Sequence, residues 1–327
     1  MRRLALAALL AVGTTGCFIG VANPLGLLGG ERPLRETTLE GEGRAKVLLV
    51  DVSGVITDRP VRRAFGLLEE ESTLSRVKST LDKARDDSRV AAVVLRIDSP
   101  GGGVTASDEI HDEIVRFRRE KNVPVVAALG DVAASGGYYV ACAADTIVAH
   151  PTSVTGSIGV IMMNFNVEGL LGKLGVRNET FKAGAHKDLL SPFRAPTAEE
   201  RRMVQGILDA LHGRFVRVVT DSRAAKLEEK RIAELTDGRI FHAQQALDGG
   251  LVDQIGTLAD AIETAKKQAG VTEARVVTYE REGEMRENIH SRASGVPAQV
   301  NVLPIDLDAL AGSGPRFMYL WAPGLVE

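Results

Sequence analysis

The sequence predicts an α/β fold in a single domain, with parallel sheet strands and flanking helices, on three observations. Val90–Ile97 is a continuous apolar, β-branched run that reads as a strand, and Asp98-Ser99-Pro100-Gly101-Gly102-Gly103 closes it. Ile110, Ile114 and Phe117 then recur at helical spacing. Val123–Leu129 repeats the arrangement, running into Ala133-Ala134-Ser135-Gly136-Gly137 and a helix opened by Tyr138-Tyr139-Val140-Ala141. In an open parallel sheet both glycine-bearing corners fall at the carboxyl edge, where ligands bind.

The other elements follow in order. A short strand ends at His150, and Val176–Phe181 is a β-like run. Phe181–Arg194 has few features of helix or strand and is dense in reactive side chains. Thr197-Ala-Glu-Glu200 is a capping box, opening a helix that carries Val204, Ile207, Leu208, Leu211 and Phe215 on one face, for the core or a subunit interface. Glu282–Val296 is charged, and Arg316-Phe-Met-Tyr-Leu-Trp321 is an apolar tail with three open destinations: the domain, a neighbouring subunit or the membrane. At 327 residues and 44% hydrophobic content the chain can bury a full core. A net charge of −3, with no basic patch interleaved with aromatics, gives no reason to invoke nucleic acid.

Ser135 is the candidate nucleophile, because glycines behind it allow a sharp turn and leave bare amides facing the same space. The corner near Gly102 can supply a second amide for an oxyanion. The plain alternative makes both corners tight turns; a phosphate loop is disfavoured, since no Gly-Lys-Ser/Thr follows. A serine needs a base. Of the six histidines, His111, His150, His212, His242 and His290 read as surface or structural residues, and His186 is worth keeping for its place in the reactive segment. Lys182 and Lys187 lie in that segment too.

Four motifs carry a family resemblance: Asp98-Ser-Pro-Gly-Gly102, Ala134-Ser-Gly-Gly-Tyr-Tyr139, Thr155-Gly-Ser-Ile-Gly159, and Lys182-Ala-Gly-x-x-Lys187-Asp-x-x-Ser-Pro-x-Arg194. Their order and spacing over about residues 45–280 resemble the signal peptide peptidase A family of serine proteases, in its short single-domain form. The resemblance implies a crotonase/Clp-like fold and a Ser/Lys dyad of Ser135 and Lys187. It implies Ser157 as the hydroxyl that orients the lysine, and Gly102 and Gly136 as the oxyanion amides. It also implies peptide substrates such as signal peptide remnants, and ring-like homo-oligomers in which one subunit's serine meets its neighbour's lysine. Neither a cofactor nor a metal is expected.

A lysine base makes a physical demand. An ordinary lysine amine, with a pKa near 10.4, is neutral in about one molecule in a thousand near pH 7.4. Bringing it into the neutral range costs the ammonium about 4 kcal/mol, which desolvation can supply. Lys187 therefore has to be buried in the assembled enzyme, with Asp188 pointing elsewhere. Lys182, five residues earlier, is the rival.

The N-terminus bears on location. Arg2 and Arg3 precede a stretch uncharged until Glu31, and Leu4–Val12 has the length of a signal h-region. Thr14-Thr15-Gly16-Cys17 resembles a bacterial lipoprotein processing site, making Cys17 a lipidation candidate, although Thr14 stands where leucine is usual. The competing reading of residues 1–30 is an uncleaved anchor from Leu4 to about Leu28. Both put the catalytic domain outside the cytoplasm, in a membrane-anchored place in the cell envelope. Residues 281–327 form an extension of unassigned role. Cys142, the other cysteine, reads as a buried thiol, so no disulfide framework is implied.

Three other functions compete. A Clp-type peptidase would need a histidine a couple of dozen residues after the serine, where Val160 and its neighbours stand. A crotonase-type acyl-CoA enzyme could use the paired amides but would need neither Ser135 nor Lys187. A catalytically silent membrane scaffold would have no use for the retained serine, lysine and glycine corners.

Overall fold

The computed structural model describes residues 33–63, 68–281, 286–291 and 317–321. The strands are β1 (Arg35–Glu40), β2 (Ala45–Ile56), β3 (Val61–Arg63), β4 (Leu68–Glu70), β5 (Val90–Gly103), β6 (Val125–Ala134), β7 (Thr146–Ala149), β8 (Val154–Gly156), β9 (Ile161–Met162), β10 (Ile240–His242), β11 (Gln254–Ile255), β12 (Ala274–Glu280) and β13 (Phe317–Leu320). The helices are α1 (Thr73–Arg85), α2 (Val104–Lys121), α3 (Gly136–Ala141), α4 (Glu168–Lys173), α5 (Ala198–Arg223), α6 (Ile232–Leu235), α7 (Ala243–Asp248) and α8 (Leu258–Gln268).

The expected α/β architecture is present. The main sheet runs β1-β12-β2-β5-β6-β7-β11, with every neighbouring pair parallel except β1 and β12. The apolar strands bury both faces. Leu48, Val50, Val93, Leu95, Val125 and Ala127 join the core on the side of α1, α2, α3 and α5, while Val47, Leu49, Val94 and Val126 face Ala261, Ile262 and Ala265 of α8. Two-sided burial is why these segments read as unbroken apolar runs rather than as alternating ones.

Helix boundaries follow local chemistry. The Ser72 hydroxyl accepts from the Ser75 N–H at 3.1 Å to cap α1. The Thr197–Glu200 capping box opens α5 as expected. Of the apolar face read on α5, Val204 and Phe215 are buried, whereas Ile207 remains 43% exposed.

Two expectations are corrected. The glycine segment is not a turn: β5 continues through Gly103, pairing Val55 with Gly101 and Ile56 with Gly102 after a register shift. Bare backbone explains the continuation, since a Cβ on Gly102 would stand 2.1 Å from the Ile56 carbonyl oxygen. Val176–Phe181 forms no strand, and Phe181 is 93% exposed. The β preference of such a run expresses itself only against a pairing edge, and this segment has none.

Strands also come from outside residues 45–280. β1 pairs with β12, and β13 pairs antiparallel with both β5 and β9. The signal or anchor reading of residues 1–30, with Cys17, lies outside the described residues. Among the described residues no helix is long and apolar enough to cross a membrane.

Candidate active site

Parallel pairing of β5 with β6, in the register Ser99 to Ala133, brings both corners to the same sheet edge. Ser135 stands between β6 and α3 at φ 52° and ψ −117°, a strained conformation for a residue with a side chain. The glycines behind it are required by close approach. A Cβ on Gly136 would lie 2.5 Å from Ser107 Oγ, and one on Gly137 would lie 2.6 Å from the Ser99 carbonyl oxygen. The turn is packed tightly enough to leave Ser135 only 1% exposed.

Ser157 arrives beside it by a second parallel pairing. β8 runs along β6 with Ala134 opposite Gly156, and the Ser135 N–H donates to the Gly156 carbonyl at 2.8 Å. Ser135 and Ser157 therefore leave adjacent strands at the same level, both with φ near +50°. The Ser157 N–H is satisfied by the Arg239 carbonyl at 2.8 Å. The glycine corner closes the other side: an ideal Cβ on Gly101 would lie 2.6 Å from the Gly136 nitrogen. Gly102, Gly136, Ser135 and Ser157 thus share one backbone cluster.

Lys187 is not part of that cluster. It is exposed, in a turn where its N–H donates to the Gly184 carbonyl at 3.3 Å, and no hydrogen bond joins it to Ser135. Its neighbours are committed elsewhere. Lys182 Nζ pairs with Asp188 at 2.5 Å and donates to the Ala185 carbonyl at 2.8 Å. Asp188 also accepts from Arg194 Nε at 2.7 Å, and Arg194 bridges on to Glu200. Hydrogen bonds from Arg194 and Lys182 hold the Asp188 carboxyl well below the usual range. Arg194, with the Thr197 N–H, holds that of Glu200 at about 2. The Asp188 carboxylate thus faces Lys182 and Arg194, as the lysine-base reading requires.

His186 is exposed, 3.9 Å from Glu199. His111 packs edge-on against Tyr139 at 5.4 Å, and burial lowers its pKa. Burial pushes the Cys142 thiol up to about 11. Among the described residues, no group of His, Cys, Asp and Glu is arranged to hold a metal ion.

The model of peptidase family S49 matches residues 117–272, which include the Ser135 corner, Ser157 and the segment of Lys187. A protein of Enterococcus faecium described as a signal peptide peptidase SppA is 39% identical over 251 residues, covering 76% of this chain and 72% of that one. The chain belongs to peptidase family S49. A protease of Synechocystis is 37% identical over 236 residues, covering 71% of this chain and 78% of that one. Among solved structures, ClpP1 of Listeria monocytogenes aligns with a TM-score of 0.41 at 18% identity, over 65% of this chain and 94% of that chain. Family S49 membership makes the chain a serine peptidase of the SppA kind.

Sequence reasoning left the destination of the tail open, and the structure pairs it with the domain. β13 lies along the glycine corner, with Tyr319 opposite Gly102 and fully buried. The signal was available: Phe317-Met-Tyr-Leu-Trp321 is a short aromatic-rich run after a charged segment, the composition of a strand that needs partners.

Proposed function

We propose that the chain is a membrane-anchored serine endopeptidase that uses a Ser135/Lys187 dyad to cleave apolar peptides, such as signal peptide remnants, outside the cytoplasm. Ser135 Oγ attacks the peptide carbonyl carbon while Lys187 Nζ takes the hydroxyl proton. The negative oxygen of the intermediate is held by the Gly102 and Gly136 N–H groups. Lys187 then gives its proton to the departing amine as the C–N bond breaks, and water, deprotonated by Lys187, releases the acyl group from Ser135. Ser157 is the hydroxyl positioned to orient the lysine amine.

The observation that carries this reading is the pair of strained serines, Ser135 and Ser157, leaving adjacent parallel strands beside the close-packed glycine backbone of the β5 and β6 corners. Strain of this kind persists only where the surrounding fold over-determines it, and it concentrates at reacting centres. A crotonase-type site would need the amides but not the two hydroxyls.

The base is supplied by a second copy of the chain. Lys187 sits on a stretch that buries little against its own domain: Leu170 is 59% exposed, Leu174 67% and Phe181 93%, and α4 buries none of its residues. Apolar surface this open is characteristic of an interface. Docking it on a neighbour would desolvate Lys187 as a lysine base requires.

Mixing tests the arrangement. Ser135→Ala and Lys187→Ala proteins are expected to be inactive separately and to recover peptide hydrolysis when co-assembled. Recovery with Lys182→Ala in place of Lys187→Ala is not expected, because that variant is active alone. No recovery in mixtures that sediment as one species refutes the shared site. Activity retained by folded Ser135→Ala refutes the nucleophile.

A further inference from the structure

Ser157 is held in its left-handed conformation from outside its own strand. β10 pairs antiparallel with β8, Ile240 opposite Gly156 and Phe241 opposite Thr155. The 2.8 Å bond from the Ser157 N–H to the Arg239 carbonyl carries that pairing one residue beyond both strands. The fit is close. An ideal Cβ on Gly156 would stand 2.6 Å from Cδ2 of Phe241 and 3.0 Å from the Arg239 carbonyl oxygen, and one on Gly159 would stand 3.5 Å from the Gly238 Cα. The placement of Ser157 therefore depends on the turn Thr236-Asp237-Gly238-Arg239 that leads into β10.

That turn is supported from two directions. Gly238 takes φ +95°, and the Arg239 side chain folds back on Asp237 at 2.7 Å and reaches Glu234 of α6 at 3.0 Å. Those contacts close the turn on itself and on α6. From α5, His212 Nε2 lies 2.7 Å from the Thr236 carbonyl oxygen. A carbonyl oxygen only accepts, so Nε2 carries the proton and donates. Thr236 is buried, and its N–H and hydroxyl are both committed to the Ile232 carbonyl, at 3.0 and 2.8 Å. His212 thus supplies a donor to a carbonyl that has little access to water. The helix beneath it is firmly seated: Arg214 pairs with Asp108 at 2.7 Å, and Phe215 packs on Tyr139 with centroids 4.9 Å apart.

We propose that His212 is a positioning residue for the reaction, holding Ser157 at the level of Ser135 through the Thr236 carbonyl and the 236–239 turn. It touches neither substrate nor reacting atoms. The proposal rests on the reading of Ser157 as the hydroxyl that orients the base for its catalytic consequence, while the chain of bonds from His212 to Thr236 and from Arg239 to Ser157 stands without it. Without His212 the Thr236 carbonyl loses its donor and turns toward water, and the Arg239 carbonyl two peptide units on moves off the Ser157 N–H. Glutamine should replace histidine, because its side-chain amide nitrogen reaches about as far as Nε2 and also donates. Phenylalanine keeps a ring of similar size and donates nothing.

Exchange and kinetics keep the support and the chemistry apart. In the Ser135→Ala background, the Ser157 amide should exchange about fivefold faster in His212→Phe and His212→Ala, the fold-change of one hydrogen bond of ordinary net strength, and near the parent rate in His212→Gln. In the active chain the same two deletions should lower kcat on an unstructured apolar peptide about fivefold at an unchanged KM, with His212→Gln close to the parent. A double-mutant cycle completes the test. With Ser157 already replaced by alanine, His212→Phe should lower kcat no further, whereas a residue that only stabilises the fold would act equally in both backgrounds. Unchanged exchange at Ser157 in both folded deletions, or equal kcat losses with and without Ser157, overturns the proposal. Faster exchange at Ser157 together with full activity of Ser157→Ala leaves the chain of bonds from His212 intact and refutes the reading of Ser157 as the orienting hydroxyl.

Discussion

Gly102→Ala and Gly103→Ala, neighbours in one strand, should behave in opposite ways. A Cβ on Gly102 would stand 2.1 Å from the Ile56 carbonyl oxygen and 2.6 Å from the Ile56 nitrogen. Ordinary contact begins near 3.4 Å, so the β2 and β5 backbones have to part by more than an ångström, and no flexible side chain is there to yield. Overpacking of that kind costs about 1–3 kcal/mol of stability. The larger effect falls on the chemistry, because the displaced backbone carries the Gly102 N–H. Loss of one oxyanion donor costs about 10²–10³ in kcat, or about 2.7–4 kcal/mol. At Gly103 the nearest atom to a Cβ is the Ala106 Cβ at 3.7 Å, and φ is −60°, so alanine fits without strain. There the loss of chain freedom in the unfolded state should add about 0.4–1 kcal/mol of stability. The assay is kcat and KM on an unstructured apolar peptide together with the melting temperature of each variant. Gly102→Ala should lose kcat with a lesser change in KM and melt lower, while Gly103→Ala stays near the parent. Wild-type kcat in Gly102→Ala, or equal losses in the two variants, refutes the placement of the oxyanion amide.

Lys46 is fully buried and pairs at 2.5 Å with both Glu36 of β1 and Asp87 of the loop before β5. Lys46→Ala should cost about 1.5–3 kcal/mol in urea unfolding, because it removes charge-assisted hydrogen bonds to two carboxylates that keep some contact with water. Arg194 hydrogen-bonds to Asp188 and Glu200 and lowers both carboxyls, that of Glu200 to about 2. Depressed folded values mean that this contribution is complete above the ordinary carboxylate pKa, about 4, and is lost as pH falls through the folded one. Hydrogen-exchange protection of residues 181–195 should therefore fall between about pH 4 and pH 2, and Arg194→Ala should show the same loss at neutral pH. Protection independent of pH over that interval would exclude the Arg194 bridge as the tether.

The legible parts of this chain were those where local chemistry and tertiary structure agree. The Thr197–Glu200 capping box closes within one turn of helix, so nothing distant can override it. The runs Val90–Ile97 and Val123–Leu129 supply central strands, the second from Val125 onward, because both their faces are covered, and apolar continuity records that condition. The Ser135 corner was legible for a different reason: Gly136 and Gly137 admit no Cβ, so the composition of the turn reports its crowding. What escaped was non-local. Gly101–Gly103 look like a turn in isolation and become a strand only because β2 lies on one side and β13 on the other. Val176–Phe181 has the composition of a strand and lacks an edge to pair with. Tyr319 lies more than two hundred residues from Gly102, and no periodicity could have joined them.

On the proposed dyad, the division between a buried Ser135 and an exposed Lys187 sets a condition on activity. Ser135 is held by contacts internal to one chain: its N–H to Gly156, its glycines against Ser99 and Ser107, and its strain locked between β6 and α3. Those contacts do not change on dilution. A lysine amine acts as a base only when neutral, and an ammonium in open water at neutral pH is not. On the proposed dyad, Lys187 is exposed in its own chain and would gain its desolvation from a partner surface seated on the apolar stretch from Leu170 to Phe181. Peptidase activity per mole of chain should therefore fall on dilution through the range where sedimentation shows the assembly dissociating, although Ser135 keeps its geometry throughout. Fluorophosphonate labelling, which also needs a base, should fall in parallel. Constant activity per mole in a solution shown to hold single chains would place the base within the chain and return Lys182 and His186 to consideration.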